Sequence, residues 1–196
     1  MCGRFFIAPE ANLQNALMAK GQALDLSIKF YGEIFPTDIV PVFTLEKGRR
    51  LARPMIWGFP GWQGKGVVFN ARQETALEKP MFKKSLLERR VATLTSGFYE
   101  WKAVPGQKKK DRFIFTLGGV GYLFLAGFWN SYVDQPKGNV TERFTVLTTE
   151  ANESMAPYHS RMPVILTDDE VDDWLGGSDL EKYLKRPQAE VRAEKA

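Results

Sequence analysis

Between Val91 and Thr149 the chain carries five apolar, β-branched and aromatic runs, at about 91–95, 97–103, 112–118, 121–130 and 143–149. Turn signals separate them: Gly106 beside Lys108-Lys109-Lys110, the pair Gly118-Gly119, and a longer loop from Asp134 to Asn139. A sixth run covers Met162 to Leu166. Parallel strands are joined by crossovers that usually form a helix, and no helical period appears between these runs. A strand-rich order without βαβ alternation argues for an α+β protein. The expected architecture is a single domain with a largely antiparallel, barrel-like β core flanked by a few helices.

The first half reads less regularly. Gly3 to Ala8 forms a short apolar strand, and Pro9-Glu10 opens a helix with Leu13, Leu17 and Met18 near helical spacing. Pro36 and Pro41 make 21–41 irregular. Val40 to Leu45 and Leu51 to Trp57 read as strands around the charged turn at 46–50. The aromatic loop Trp57-Gly58-Phe59-Pro60-Gly61-Trp62 leads to a brief strand, Val67 to Asn70. Pro80 to Arg90 has helical composition, with Phe82, Leu86 and Leu87 on one face. Thr167-Asp168-Asp169-Glu170 and Ser178-Asp179-Leu180-Glu181 are capping-box patterns that each start a short helix. The domain is expected to span 1–186, and the tail 187–196 has so little to bury that it reads as flexible.

Composition limits the chemistry. The chain of 196 residues has one cysteine, Cys2, and one histidine, His159. An internal disulfide is impossible, and a Cys/His metal cluster is close to excluded, so neither metal nor cofactor is expected. There is no basic-then-apolar leader and no apolar run of membrane-spanning length. A cytoplasmic protein without a membrane partner is the expectation. The net charge of +4 permits nucleic-acid binding without demanding it.

Cys2 follows the initiator methionine. If Met1 is removed, the thiol and a free α-amine form a 1,2-aminothiol, a specific reagent for aldehydes. An α-amine titrates near ~8 and a free thiol near ~8.5, so both groups are poised near neutrality. A lone cysteine near a terminus also fits an incidental residue. His159 lies in a polar loop before an apolar strand, which suits a proton-exchanging group or a structural histidine. In Gly97-Phe98-Tyr99-Glu100-Trp101, alternation places Glu100 on the face of Phe98. Burial there would raise its pKa and make it a general acid or base, whereas an edge position would leave it in solvent. Asn70 and Arg72 share a face if their strand continues through them. Arg4, Arg72 and Arg161, with Trp62, would supply the phosphate contacts and the stacking plate that single-stranded nucleic acid needs.

Taken together, Met1-Cys2-Gly3-Arg4-Phe5, Trp57-Gly58-Phe59, Asn70-Ala71-Arg72-Gln73-Glu74-Thr75, Gly97-Phe98-Tyr99-Glu100-Trp101 and His159-Ser160-Arg161-Met162-Pro163 resemble one family. It is the SRAP (SOS response-associated peptidase) family of abasic-site processing proteins, and the resemblance covers residue 1 to about 175. The resemblance implies loss of Met1, binding of single-stranded DNA, and a covalent thiazolidine crosslink to the ring-opened aldehyde of an abasic site. It implies Cys2 as nucleophile, Asn70 as holder of the terminal amine and the sugar, Glu100 as proton shuttle, and His159 in imine chemistry and crosslink reversal. Arg4, Arg72 and Arg161 would grip phosphates and Trp62 would stack, although the aromatic loop is one residue shorter than the family's usual form. Lyase chemistry and self-directed removal of Met1 also follow from the resemblance. A monomer is expected. Two other readings fit the residues: a cysteine peptidase using Cys2, His159 and Asn70, and a non-covalent single-strand binder.

Overall fold

A computed structural model describes residues 2–9, 28–134, 138–177 and 179–196, without the side chain of Trp62. The expected helix after Pro9 falls outside the described residues. The strands, in chain order, are β1 (Phe5–Ile7), β2 (Gly32–Ile34), β3 (Ile39–Glu46), β4 (Arg49–Trp57), β5 (Phe59–Pro60), β6 (Val67–Val68), β7 (Asn70–Arg72) and β8 (Arg90–Thr95). They continue as β9 (Gly97–Lys102), β10 (Asp111–Leu117), β11 (Leu123–Asp134), β12 (Asn139–Glu150), β13 (Arg161–Pro163), β14 (Ile165–Leu166) and β15 (Val191–Lys195). The described α-helices are α1 (Gln73–Ala76), α2 (Pro80–Glu88), α3 (Asp168–Leu175) and α4 (Leu180–Leu184). None of them is long and apolar enough to cross a membrane.

The fold is α+β, with a closed barrel at its centre. Strand β12 pairs with β4, β4 with β3, β3 with β8, β8 with β11, and β11 again with β12. Closure leaves this ring without a free edge. All of its pairings are antiparallel except β12 with β4. Strand β7 joins β12 in parallel, with Asn70 opposite Val146 and Arg72 opposite Thr148. A second sheet has the order β15-β10-β9-β1-β2.

Trp57 anchors the core where these pieces meet. It is fully buried, 4.8 Å from the Phe5 ring and stacked on Phe144 at 6.4 Å. Its indole N–H donates to Phe69 O at 2.9 Å, which satisfies the one polar atom that burial would penalise. Gly58 follows with φ of +114°, and a Cβ there would lie 2.1 Å from Val67 Cγ1. Only glycine fits this bend, so the aromatic loop turns where the sequence places its Trp-Gly-Phe.

Several expectations need correction. The segment 187–196 is not a flexible tail. Residues 191–195 form β15 against β10, with Val191 6% exposed. Asn152 Nδ2 donates to Gln188 O and Ala189 O, and the Gln188 side chain accepts from Ile165 N. Few apolar residues suffice there because the main chain finds an unpaired edge. Irregular structure through 41 is also too broad, since β2 lies within it and β3 begins at Ile39. Pro41 sits opposite Pro54, so two residues without N–H face each other. In α2, Leu87 is 47% exposed and Ser85 is buried beside Phe82 and Leu86. Positions three and four after Phe82 share its face, and position five does not. Strand β7, which was not separated from Val67 to Asn70 in the sequence, carries Asn70 and Arg72 on its own pairing with β12.

Both helix starts near the C-terminus form as expected, with differing detail. The Glu170 carboxylate accepts from Thr167 N at 2.9 Å at the head of α3. At α4, Asp179 is the cap and accepts from Glu181 N, while Ser178 lies outside the described residues.

Candidate active site

Strand β1 brings the start of the chain into the protein. Its pairing places Phe5 opposite Phe98 of β9 and opposite Ile34 of β2, and the core packing of Phe5 draws Cys2 inward. Cys2 is 1% exposed. Its thiol donates to Arg4 O at 3.6 Å, and its carbonyl accepts from Asn70 Nδ2 at 2.8 Å. Asn70 Oδ1 is buried and has no hydrogen-bond partner among the described residues. An acceptor therefore points into the protein beside the residue whose carbonyl the same amide holds.

Glu100 is the second group at the cysteine. Alternation along β9 puts it on the face of Phe98, and at 3% exposure it takes the buried setting of the two that the sequence left open. Its charge acts on the Cys2 thiol. Burial pushes that thiol well above the ordinary cysteine range, the Glu100 charge pushes it further, and the Arg4 carbonyl contact and the chain terminus pull it back only in part. Burial and the Glu100 charge both favour the thiol over the thiolate, so the expectation of a group poised near neutrality does not hold for Cys2 buried in this way.

His159 ends a turn in which His159 N donates to Met155 O at 3.2 Å. Its Nδ1 accepts from Arg161 N at 2.9 Å and lies 3.2 Å from Arg161 O. The Arg161 side chain is 13% exposed and forms a fork with Glu74: Nη1 donates to Oε1 at 2.7 Å and Nη2 to Oε2 at 2.9 Å. Nη2 also donates to Thr148 O at 2.7 Å. Burial works to raise the Glu74 carboxyl, and the hydrogen bonds and charge of Arg161 outweigh it, leaving Glu74 below the usual carboxylate range.

Arg72 is exposed on β7. With Arg161, Ser160, Glu150, Ala151 and Ala156 it lines an open pocket of about 470 Å³. Arg4 is held elsewhere. Its Nη1 donates to Glu33 Oε2 at 3.1 Å, and its guanidinium lies 4.3 Å from the Phe35 ring centroid and 5.0 Å from that of Trp101. Glu33 also accepts from Arg112 at 2.8 Å. Trp62 lies in a short 3-10 turn, Trp62–Gly64, and its side chain lies outside the described residues.

The structure thus joins Cys2 to Asn70 directly and to Glu100 through charge, and it joins His159 to Arg161 through the main chain. Strand β7 links the two groups, because it carries both Asn70 and Arg72. Sequence reasoning missed the acidic partners. Glu74 stands inside the motif that supplied Asn70 and Arg72, so its spacing was a usable signal. Glu33 stands in no motif, and only the β1–β2 register, which pairs it with Phe6, reveals it.

In this barrel protein the chain start lies under a strand amide and beside a buried carboxylate, which makes the surroundings of Cys2 the candidate site. The chain belongs to the SOS response associated peptidase (SRAP) family, whose sequence model matches residues 1–195. It is 37% identical over 143 residues to the abasic site processing protein YoqW of Bacillus subtilis, an alignment spanning 70% of this chain and 62% of that relative. It is 29% identical over 181 residues to the abasic site processing protein YedK of Escherichia coli, across 89% of this chain and 79% of that protein. A crystal structure of a Bordetella bronchiseptica protein shares the fold, with a TM-score of 0.79 at 22% identity, covering 100% of this chain and 99% of that one.

Proposed function

We propose that this protein processes abasic sites in DNA by trapping the ring-opened sugar aldehyde on the mature amino terminus at Cys2. Removal of Met1 frees the α-amine. The amine adds to the aldehyde carbon, and loss of one water gives an imine. The Cys2 sulfur then bonds to the same carbon as its proton passes to the imine nitrogen, closing a thiazolidine. The net change is one water lost and no redox partner consumed. Glu100 carries protons between these steps, and Asn70 fixes the terminus and offers its free Oδ1 to the amine or sugar. His159 serves the imine stage and reversal. The DNA is single-stranded, with Arg72 on the phosphates at the open pocket. Arg161 contributes charge there from behind Glu74, Arg4 meets phosphate from its separate place beside Glu33, and Trp62 stacks. A soluble, cytoplasmic monomer is the working form.

The observation that carries this reading is the Asn70–Cys2 hydrogen bond beside buried Glu100. It brings three residues from distant parts of the sequence to one place. The names of the two relatives and the family membership support the abasic substrate. The buried, proton-bearing thiol suits a late ring closure better than an initial attack, because its proton passes to the imine nitrogen and the resulting iminium carbon is a stronger electrophile than the aldehyde. The test is retardation of a single-stranded abasic oligonucleotide on a denaturing gel. Wild-type protein gives a heat-stable band, and Cys2→Ala loses it while retaining native binding. A persistent heat-stable band in Cys2→Ala rejects the assignment of the nucleophile.

A further inference from the structure

Glu74 has no role in the reading above, yet it makes the most directional contact near the open pocket. Both of its oxygens accept from the Arg161 fork, a planar match that orients as well as attracts. Glu74 stands in the first turn of α1, directly after the strand that bears Asn70 and Arg72. Arg161 is the first residue of β13, opposite Glu150 of β12. The fork therefore ties the helix that directly follows the Asn70 strand to the segment carrying His159. A third contact, from Arg161 Nη2 to Thr148 O, locks the guanidinium to β12 as well.

The consequence reaches His159 through the main chain. Arg161 N donates to Nδ1 at 2.9 Å, which requires a lone pair on Nδ1 and sets the ring proton on Nε2. The other contact of Nδ1, 3.2 Å from Arg161 O, is the one a ring protonated at Nδ1 would use. The two backbone groups of one residue thus compete for the same nitrogen, and the backbone angles of Arg161, which set its N–H and C=O relative to the ring, decide which wins. Strand β13 is three residues long and holds Arg161 at its very start, so the side-chain fork adds a second restraint where the ladder gives the least.

We propose that Glu74 is a positioning residue which, by clamping Arg161, holds His159 in the tautomer with its proton on Nε2. His159 then presents an N–H rather than a lone pair from Nε2. In the reaction proposed above, on which this role rests, it would polarise or hydrogen-bond an oxygen at the imine stage. The tautomer itself is measurable without DNA, so this inference and the abasic-site reading fail separately.

The experiment uses the one histidine of the chain. Protein labelled with ¹⁵N in the histidine ring gives one pair of ring nitrogens, and their shifts report which of the two is protonated. In wild-type protein at a pH where the ring is neutral, Nδ1 is expected at an unprotonated, acceptor-type position and Nε2 at a protonated one. In Glu74→Gln, which keeps the shape and loses the bidentate charge pair, both shifts are expected to move towards the average of the two tautomers. Arg161→Lys, which keeps the charge and loses the fork, is expected to do the same and decides the matter if Glu74→Gln does not fold. Unchanged ring shifts in a folded variant overturn the proposal, as does a wild-type ring with its proton on Nδ1.

Discussion

Replacing Asn70 with alanine tests the centre of the site through one hydrogen bond. Asn70 Nδ2 donates to Cys2 O at 2.8 Å, and Cys2 is 1% exposed. Deletion leaves a buried carbonyl without this partner, at a cost of about 1–3 kcal/mol. The terminus can relieve part of that cost by swinging away, so the loss of folding stability is bounded by the same figure. Swinging away removes the amine and thiol from Glu100, however, and the cost then appears in the barrier to adduct formation. At about 1.36 kcal/mol per tenfold, crosslinking slows by roughly 5- to 160-fold. The assay is single-turnover adduct formation on a single-stranded abasic oligonucleotide, read on a denaturing gel, with urea unfolding run alongside. Asn70→Asp sharpens the test. It keeps the shape, turns an oxygen towards the Cys2 carbonyl and adds negative charge near Glu100, so its rate should be no faster than that of the alanine variant. A folded Asn70→Ala protein that crosslinks within about twofold of the wild-type rate refutes the reasoning, since that difference corresponds to only ~0.4 kcal/mol.

Three further outcomes follow from other parts of the structure. Burial and the Glu100 charge raise the Cys2 thiol, so the folded state keeps a proton that the unfolded chain releases above about pH 8.5. Stability from this group is therefore complete below that pH and falls above it, by up to about 1.4 kcal/mol per pH unit. Urea unfolding of wild type and Cys2→Ala across pH 8–9.5 should show the steeper loss in wild type, and parallel curves would contradict the buried thiol. Arg72→Ala should weaken single-strand binding at low salt and reduce the slope of log affinity against log salt by about 0.7, the share of one phosphate on a single strand; an unchanged slope removes Arg72 from the phosphate contacts. Deleting 187–196 removes β15 and the partners of Asn152 and Ile165, so the urea midpoint should fall clearly, whereas a tail without contacts would leave it in place.

The barrel was legible because its strands carry their own signals. The runs from Val91 onward appear within a few residues of β8 to β12, and the capping pattern at Thr167 marks the start of α3. Features decided by the main chain were not legible. Strand β15 forms because β10 offers an edge, and nothing in the side chains of 187–196 announces it. Leu87 was assigned to the buried face of α2 on hydrophobicity, but helical geometry puts Ser85 there instead. For the candidate site, Cys2, Asn70, Glu100, His159 and Arg161 were singled out because each sits in a compact motif. The state of the Cys2 thiol was misjudged because burial is a property of the fold, not of a tetrapeptide. The pairing of Arg161 with Glu74 and of Arg4 with Glu33 was hidden for the same reason: the partners lie 87 and 29 residues apart in the chain.

Mass spectrometry of the intact protein after incubation with a single-stranded oligonucleotide bearing one abasic site tests the account most directly. The account predicts a species equal to the protein without Met1 plus the oligonucleotide minus one water, with the modification located by digestion on the peptide that begins at Cys2. An unmodified protein, or an adduct on a lysine elsewhere in the chain, would contradict it.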